Sequence, residues 1–300
     1  MSTEVKSIKL EGSALDRALA ALIESIVITL CYIPRRLMHG IAVSAAFVLY
    51  YTAKKFNKRI FANTLRVYGI PSQSYFAKQF AWQIITHQVV CILETVRIIY
   101  RRRGFRVIGL EELRACIAKA ENQGYGHMII TGHVGSWEMV AFFGKSVSQK
   151  PLHVLAKPSR SRSLSVYLEN LRQKMGTPVL WNHRKSLMRQ VLSALKKGES
   201  VGFVMDQKPE GRKGPVVNFL GTPTSFVGGP ASIAVKTQCA VISVFCLREG
   251  PMEYRILSRM LLPGGHQNTD ELGLSQLMAD EIGEVIRAYP EQWLWNYKRW

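Results

Sequence analysis

Residues 128–138 read Met128-Ile-Ile-Thr-Gly-His133-Val-Gly-Ser-Trp-Glu138, and the reading of the whole chain turns on them. The short apolar run His127 to Thr131 has the composition of a buried strand. Gly132 and Gly135 bracket a turn, and Trp137 with Glu138 opens a helix. In open α/β sheets, sites collect beyond the carboxyl ends of the strands, which is where His133 falls. Glu138, in the first helical turn, is placed to fold back towards the imidazole. It would then fix the ring and stabilise the imidazolium formed when His133 takes a proton. General-base help of this kind contributes about 10²–10⁴ in rate.

Spacing alone does not single out this pair. Seven histidines and 21 acids in 300 residues give roughly half an H-x₄-acid match by chance. A second match is present, His266 to Glu271 in GGHQNTDE. That segment is glycine-rich and polar, and no apolar strand leads directly into its histidine. It reads as a surface loop entering a helix, with Thr269 or Asp270 as N-cap.

Outward from the first motif, helices alternate with β-rich runs. Strands are expected at 127–131, 152–156, 178–181, 201–205, 216–219 and 240–247. Helices are expected at 110–122, 162–175, 185–197, 229–237 and 272–288. The alternation predicts an α/β fold, a central mostly parallel sheet flanked by helices.

The N-terminal part has a different character. Residues 18–34 and 37–53 are apolar, interrupted by Glu24 and His39, and each is at the short edge of the roughly 20 residues that cross a bilayer. Between Glu24 and Glu94 there is no acid, against eight basic residues. This pattern suits membrane-associated helices against anionic lipid; the rival reading is a buried helical hairpin. Basic residues flank the second stretch on both sides, so charge does not fix whether it spans the membrane or lies on it. The expected division is residues 1–59 as a hydrophobic membrane anchor and 60–300 as the α/β domain, the latter containing an amphipathic helix broken at Gly69-Ile70-Pro71. Arg101, Arg102, Arg103 and Arg106 then mark the entry to the α/β part, as a solvated face or a lipid head-group contact.

Forty Lys and Arg against 21 Asp and Glu give a net charge of +19, which calls for a polyanionic partner. Nucleic acid fits that charge, yet neither helix-turn-helix nor RNA-recognition signatures occur, and the apolar stretches argue against it. The five cysteines (Cys31, Cys91, Cys116, Cys239, Cys246) contain no C-x-x-C pair. No disulfide framework and no zinc site is expected, and a reducing compartment is. A G-x-S-x-G elbow, a G-x-G-x-x-G run and a P-loop are all absent from the sequence. No cleavable signal peptide is read. Outside enzymes, the remaining rival is a non-catalytic basic membrane tether.

TGHVGSWE resembles the active-site block of the bacterial lipid A late acyltransferases, the lauroyl and myristoyl transferases of the lysophospholipid acyltransferase superfamily. Further blocks follow in that family's order. Lys157-Pro158 stands where an Arg-Pro is usual, followed by Leu171-Arg172 with Gly176, Asp206-Gln207, GPVVNFLGTPTSFVGG at 214–229, and PEQWLWNYKRW at 290–300. The resemblance implies a glycerol-3-phosphate acyltransferase-like α/β fold and transfer of a fatty acyl group from a thioester to a lipid hydroxyl. His133 would be the base and Glu138 its partner, with no acyl-enzyme, metal or cofactor. It also implies substrate contacts by Arg172, Lys157, Asp206 and Gly135. Arg172 or the amides around Gly135 would face the oxyanion, while a surface ion pair is the plainer reading of Arg172. For Asp206 the plainer reading is a strand end that caps the next turn. Trp293 and Trp295 read as aromatic packing or an interfacial anchor. Lys157 keeps a cation but loses the bidentate geometry of arginine. The donor implied is acyl carrier protein, or acyl-CoA, and the acceptor a lipid A precursor or another glycolipid such as a phosphatidylinositol mannoside. The place implied is the bacterial inner membrane, with the catalytic domain facing the cytoplasm.

Overall fold

A computed structural model describes residues 12–182, 186–209 and 214–300. Residues 1–11 of the expected anchor and residue 185 of the expected helix 185–197 lie outside the described residues.

Four helices come first: α1 Ala14–Tyr32, α2 Arg35–Thr52, α3 Lys54–Tyr68 and α4 Tyr75–Arg101. Their limits follow local chemistry. Ser13 and Asp16 form a capping box at the start of α1, which satisfies two orphan N–H groups at once. Pro34 separates α1 from α2 because it supplies no N–H and holds the chain extended. Gly69, with φ +68°, ends α3 in the left-handed conformation that glycine accepts without strain. Helix α3 runs across residues 59 and 60, so the chain continues unbroken through the expected division.

The α/β part follows as β1 Arg106–Ile108, α5 Leu110–Asn122, β2 His127–Thr131, α6 Trp137–Val147, β3 Leu152–Ala156, α7 Arg162–Lys174 and β4 Val179–Trp181. Then come α8 Leu187–Lys196, β5 Ser200–Val204, β6 Val216–Phe219, β7 Thr222–Ser225, α9 Gly229–Thr237, β8 Ala240–Gly250, β9 Glu253–Leu262 and α10 Glu271–Ala288. Seven strands form one sheet in the order β1-β9-β8-β2-β5-β3-β4, and β6 with β7 makes a separate antiparallel hairpin. Every neighbouring pair in the large sheet is parallel except β8 and β9. The expected mostly parallel sheet flanked by helices is therefore present.

Three strands were not anticipated. Two, β1 and β7, lack the apolar run that marks the equally short β4 and β6: β1 is Arg-Val-Ile after a run of arginines, and β7 is the polar Thr-Pro-Thr-Ser. The third, β9, alternates exposed-side Arg255 and Arg259 with buried Tyr254 and Ile256. It reverses on β8 through a turn at Met252, whose φ is +63°, and its charged face masks it as a strand.

Sequence alternation along β2 divides the core. Met128 and Ile130 pack with α8, α9 and α10, whereas Ile129 packs with α5, α6 and α7 on the other face. All three are essentially fully buried, each contributing about 1.5–3 kcal/mol. The N-terminal helices pack on this body and on one another through apolar side chains such as Ile60, Ile84 and Ile98 and through polar contacts. Glu24, the acid inside the first apolar stretch, accepts from Tyr100 and pairs with Lys174. Buried Arg97 donates to the Cys31 and Ile33 carbonyls, and Asn63 of α3 donates to the Trp295 and Tyr297 carbonyls. Among the described residues no helix is long and apolar enough to cross a membrane.

Candidate active site

Parallel register builds the site. Thr131 of β2 is level with Val204 of β5, and the Met205 amide continues the ladder to the Thr131 carbonyl. His133 and Asp206 each lie two residues beyond that level, so the strand ends deliver them side by side. Nδ1 of His133 lies 2.7 Å from Asp206 Oδ1. The other carboxylate oxygen accepts from the indole Nε1–H of Trp293, also at 2.7 Å. Asp206 is 3% exposed and the His133 side chain 17%, so the pair is dry on one side and open on the other. The ring stands edge-on to Trp137, and the Gln207 amide nitrogen is 3.3 Å from His133 Nε2.

The electrostatics follow from this geometry. Burial would lower the His133 pKa, but the charge and hydrogen bond of Asp206, aided by the charge of Glu138, outweigh it and hold the pKa above the ordinary imidazole value. Burial would raise the Asp206 pKa, and His133 together with the Trp293 bond overrides that, keeping the carboxylate ionised. When neutral, the imidazole donates Nδ1–H to Asp206 and turns the Nε2 lone pair to the cleft. That arrangement can take a proton from a hydroxyl.

Glu138 is placed differently from the expectation. It starts α6, but it does not bond to the imidazole: Arg172 takes both of its oxygens, with Nε–H on Oε2 at 3.1 Å and Nη2–H on Oε1. The guanidinium of α7 offers the planar fork that matches a carboxylate, and an imidazole cannot compete with two parallel bonds. Arg172 is thus in an ion pair beside the site. Burial acts to lower its pKa, but Glu138 wins and raises it.

Gly135 also has a different use. Its φ is +59°, and a Cβ there would lie 2.2 Å from the Cys246 carbonyl oxygen, so only glycine lets the loop lie against β8. Its N–H donates to the Gln292 carbonyl and the Ser136 N–H to the Cys246 carbonyl. Those two amides are engaged and do not face the cleft as oxyanion donors.

A cleft of about 730 Å³ opens at the dyad. His133, Glu138, Lys157, Arg172, Gln207 and Lys208 supply its polar wall. Its floor is apolar, formed by Ile129, Val140 and Ala141 with Leu152, Val154 and Phe203. His133, Glu138, Arg172 and Lys157 are therefore brought to one cavity, and Asp206 sits behind it. The duplicate motif is elsewhere: His266 bonds Thr269 in the loop ahead of α10, and neither His266 nor Glu271 lines the cleft. Asp270 is the N-cap there, accepting from Leu272 and Gly273. Among the described residues no group of three or more His, Cys, Asp or Glu is placed to hold a metal.

Sequence reasoning missed the partnership of Asp206 with His133 and assigned Trp293 to packing. The sequence shows only that the apolar runs 127–131 and 201–205 are each followed closely by a polar residue, His133 and Asp206; that the two strands are neighbours is a matter of sheet order.

The chain matches the profile of the family described as bacterial lipid A biosynthesis acyltransferase over residues 6–300. It is similar to the phosphatidylinositol mannoside acyltransferase of Mycobacterium tuberculosis, 28% identical over 200 residues, 65% of this chain and 60% of that protein. It resembles the protein of the same name from Mycolicibacterium smegmatis at 24% over 185 residues, 60% of this chain and 59% of the relative. The lipid A biosynthesis palmitoleoyltransferase of Escherichia coli is 26% identical over 202 residues, 66% of this chain and 62% of the relative. The matches thus span about three fifths of each of these relatives.

Proposed function

The chain belongs to the bacterial lipid A biosynthesis acyltransferase family, and from that premise we propose that it transfers a fatty acyl group from an acyl carrier thioester to a hydroxyl of a lipid A precursor. The observation that carries this reading is His133, backed by Asp206, in the wall of a cleft whose floor is apolar. His133 Nε2 takes the proton of the acceptor hydroxyl, and the oxygen attacks the thioester carbonyl carbon. The tetrahedral intermediate collapses with cleavage of the carbon–sulfur bond. The departing thiolate then takes the proton from the imidazolium, so no acyl-enzyme forms.

With the Gly135 and Ser136 amides engaged, the oxyanion is met by side chains of the cleft wall, Gln207, Lys157 and Arg172. Glu138 acts by holding Arg172 and by its charge on the ring. The acyl chain lies along the apolar floor. Acyl carrier protein is the proposed donor, because its acidic surface suits a chain of charge +19; acyl-CoA is the alternative.

Residues 60–300 form the proposed acyltransferase domain, and residues 1–59 its membrane-binding segment on the cytoplasmic side of the bacterial inner membrane. Support comes from the surface of α1, α2 and α3. Among the described residues, thirteen of the twenty-three large apolar side chains left exposed fall between Leu15 and Tyr68. Exposed Lys54, Lys55, Lys58 and Arg59 lie among them. With no spanning helix among the described residues, this face meets the bilayer in the plane of its surface.

The test is acyl transfer by purified protein from an acyl carrier thioester, with a lipid A precursor and a phosphatidylinositol mannoside as parallel acceptors. Transfer to the first only bears the proposal out. Transfer to the mannoside only moves the acceptor to the chemistry named for the mycobacterial relatives. No transfer to either leaves the basic tether as the surviving account. For the membrane face, replacing Lys54, Lys55, Lys58 and Arg59 by Glu should weaken cosedimentation with anionic vesicles severalfold. Unchanged binding at low salt overturns it.

A further inference from the structure

The loop that carries His133 is held by backbone on two sides. Gly135 bridges to Cys246 of β8 on one side, and Val134 bridges antiparallel to Trp293 on the other. The bonds on the second side come in a series. The Gly135 N–H donates to the Gln292 carbonyl, and the Leu294 N–H donates to the His133 carbonyl. Gln292 itself is locked to β8, since its side chain accepts from the Arg248 amide and donates to the Arg248 carbonyl. The segment from Gln292 to Leu294, which leaves a short 3-10 turn and makes an isolated bridge at Trp293, therefore fixes the backbone of the base. From its middle, one side chain reaches past the backbone to the carboxylate behind the ring.

We propose that Trp293 is a positioning residue for the transfer reaction: its indole N–H fixes the Asp206 carboxylate so that the remaining oxygen meets His133 Nδ1 in the geometry the base needs. The proposal rests on the reading of His133 as the base. A carboxylate with two free oxygens can rotate and share its charge unevenly; here one oxygen is held by Trp293 and the other by His133, at equal distances of 2.7 Å. Trp293 is 2% exposed, so no water substitutes for its N–H. The ring is also clamped by its neighbours. Trp295 stands edge-on at 4.6 Å between ring centroids, with Phe219 at 6.0 Å and Trp300 at 6.1 Å. The donor is therefore preorganised, and outer-shell groups of this kind typically change activity through the residue they hold.

The direction of the pH effect follows. A hydrogen bond to the ionised carboxylate draws its charge away from the ring. Without it, more of that charge faces His133, the imidazolium is better stabilised, and the base stays protonated to a higher pH. The acid limb of the rate profile moves up.

The experiment uses full-length protein in detergent with three changes: Trp293→Phe, Asp206→Asn, and both together. A fourth sample carries at position 293 the benzothiophene isostere of tryptophan, which keeps the ring shape and lacks the N–H. His133→Ala is the control for the underlying reading. The expected result for Trp293→Phe and for the isostere is a fall in kcat of about tenfold. KM should be unchanged and the acid limb displaced to higher pH. In the Asp206→Asn background the Trp293→Phe change should have no further effect on kcat, because its target has lost its charge. An isostere protein with the parental profile overturns the role of Trp293, as does an equal loss in both backgrounds. If His133→Ala instead retains transfer, it is the base assignment that fails.

Discussion

His133 and His266 each stand five residues ahead of a glutamate, and the fold treats them in opposite ways. His133 leaves a buried parallel strand, is met by an ionised aspartate from the next strand, and turns its second nitrogen to a cleft. His266 lies in a polar loop, finds a threonine hydroxyl three residues on, and is followed by a helix cap. The glutamates differ as well. Glu138 is bound in both oxygens by an arginine, whereas Glu271 is an exposed residue in the first turn of α10. What distinguishes the pairs is the neighbouring strand. A histidine is equipped to act as a base when another chain segment brings it a carboxylate and shields that pair from water, and five-residue spacing along one segment provides neither.

The largest effect that separates the two motifs is the loss of the histidines themselves. His133→Ala should reduce transfer by about 10³-fold or more, and His266→Ala should stay within about twofold, in a thioester-release assay on folded protein. A dead His266 variant with an active His133 variant would reverse the comparison. Next comes the partner. Asp206→Asn should lower kcat by about 10²–10³-fold. It removes the charge that raises the His133 pKa, so burial then dominates and the acid limb moves to lower pH. The matching change at the second motif, Thr269→Ala, should leave the profile unmoved.

The glutamates are expected to differ less. Glu138→Ala leaves the largely buried Arg172 without its carboxylate, at a cost of about 1–3 kcal/mol in stability. It should also reduce transfer by about 10- to 100-fold as Arg172 loses its position. Glu271→Ala should change stability by no more than about 0.5 kcal/mol and leave activity intact. Denaturant titration alongside the assay reads both. The smallest effect sharpens the comparison from the other side. Asp270→Ala removes two hydrogen bonds at the start of α10 and should lower stability by about 1 kcal/mol with parental kcat.

The strands 127–131, 152–156 and 216–219 and the helices 110–122 and 229–237 were legible to the residue: the strands are compact runs bounded by glycine, proline or polar residues, helix 110–122 buries Leu113, Ile117 and Ala120 at helical spacing, and helix 229–237 opens on Gly-Pro. The edge strand β1 follows a run of arginines, β7 is the polar Thr-Pro-Thr-Ser, and β9 presents arginines on its exposed side. At the site, the position of His133 could be read from one segment. Its partner could not, because which strand lies beside β2 is a matter of sheet order: β5 is its neighbour although β3 and β4 intervene in sequence. Local reading therefore favoured Glu138, the nearest acid along the chain, over Asp206, the nearest acid across the sheet. Trp293 was illegible for the same reason at longer range. The acid in the first apolar stretch, Glu24, shows the converse case. In sequence it weakens a membrane helix, whereas in the fold it turns inward to Tyr100 and Lys174.

The three members of the dyad and its support come from positions separated by 73 and 87 residues. Each separation is a loop whose closure entropy must be met before its one hydrogen bond can form, and no two of the three are joined by local structure. The working arrangement is therefore among the last things that folding completes and among the first that loosening of the sheet disrupts. Turnover in this protein is in effect a gauge of long-range order, one that should fall to zero while much of the helical signal of the chain is still intact.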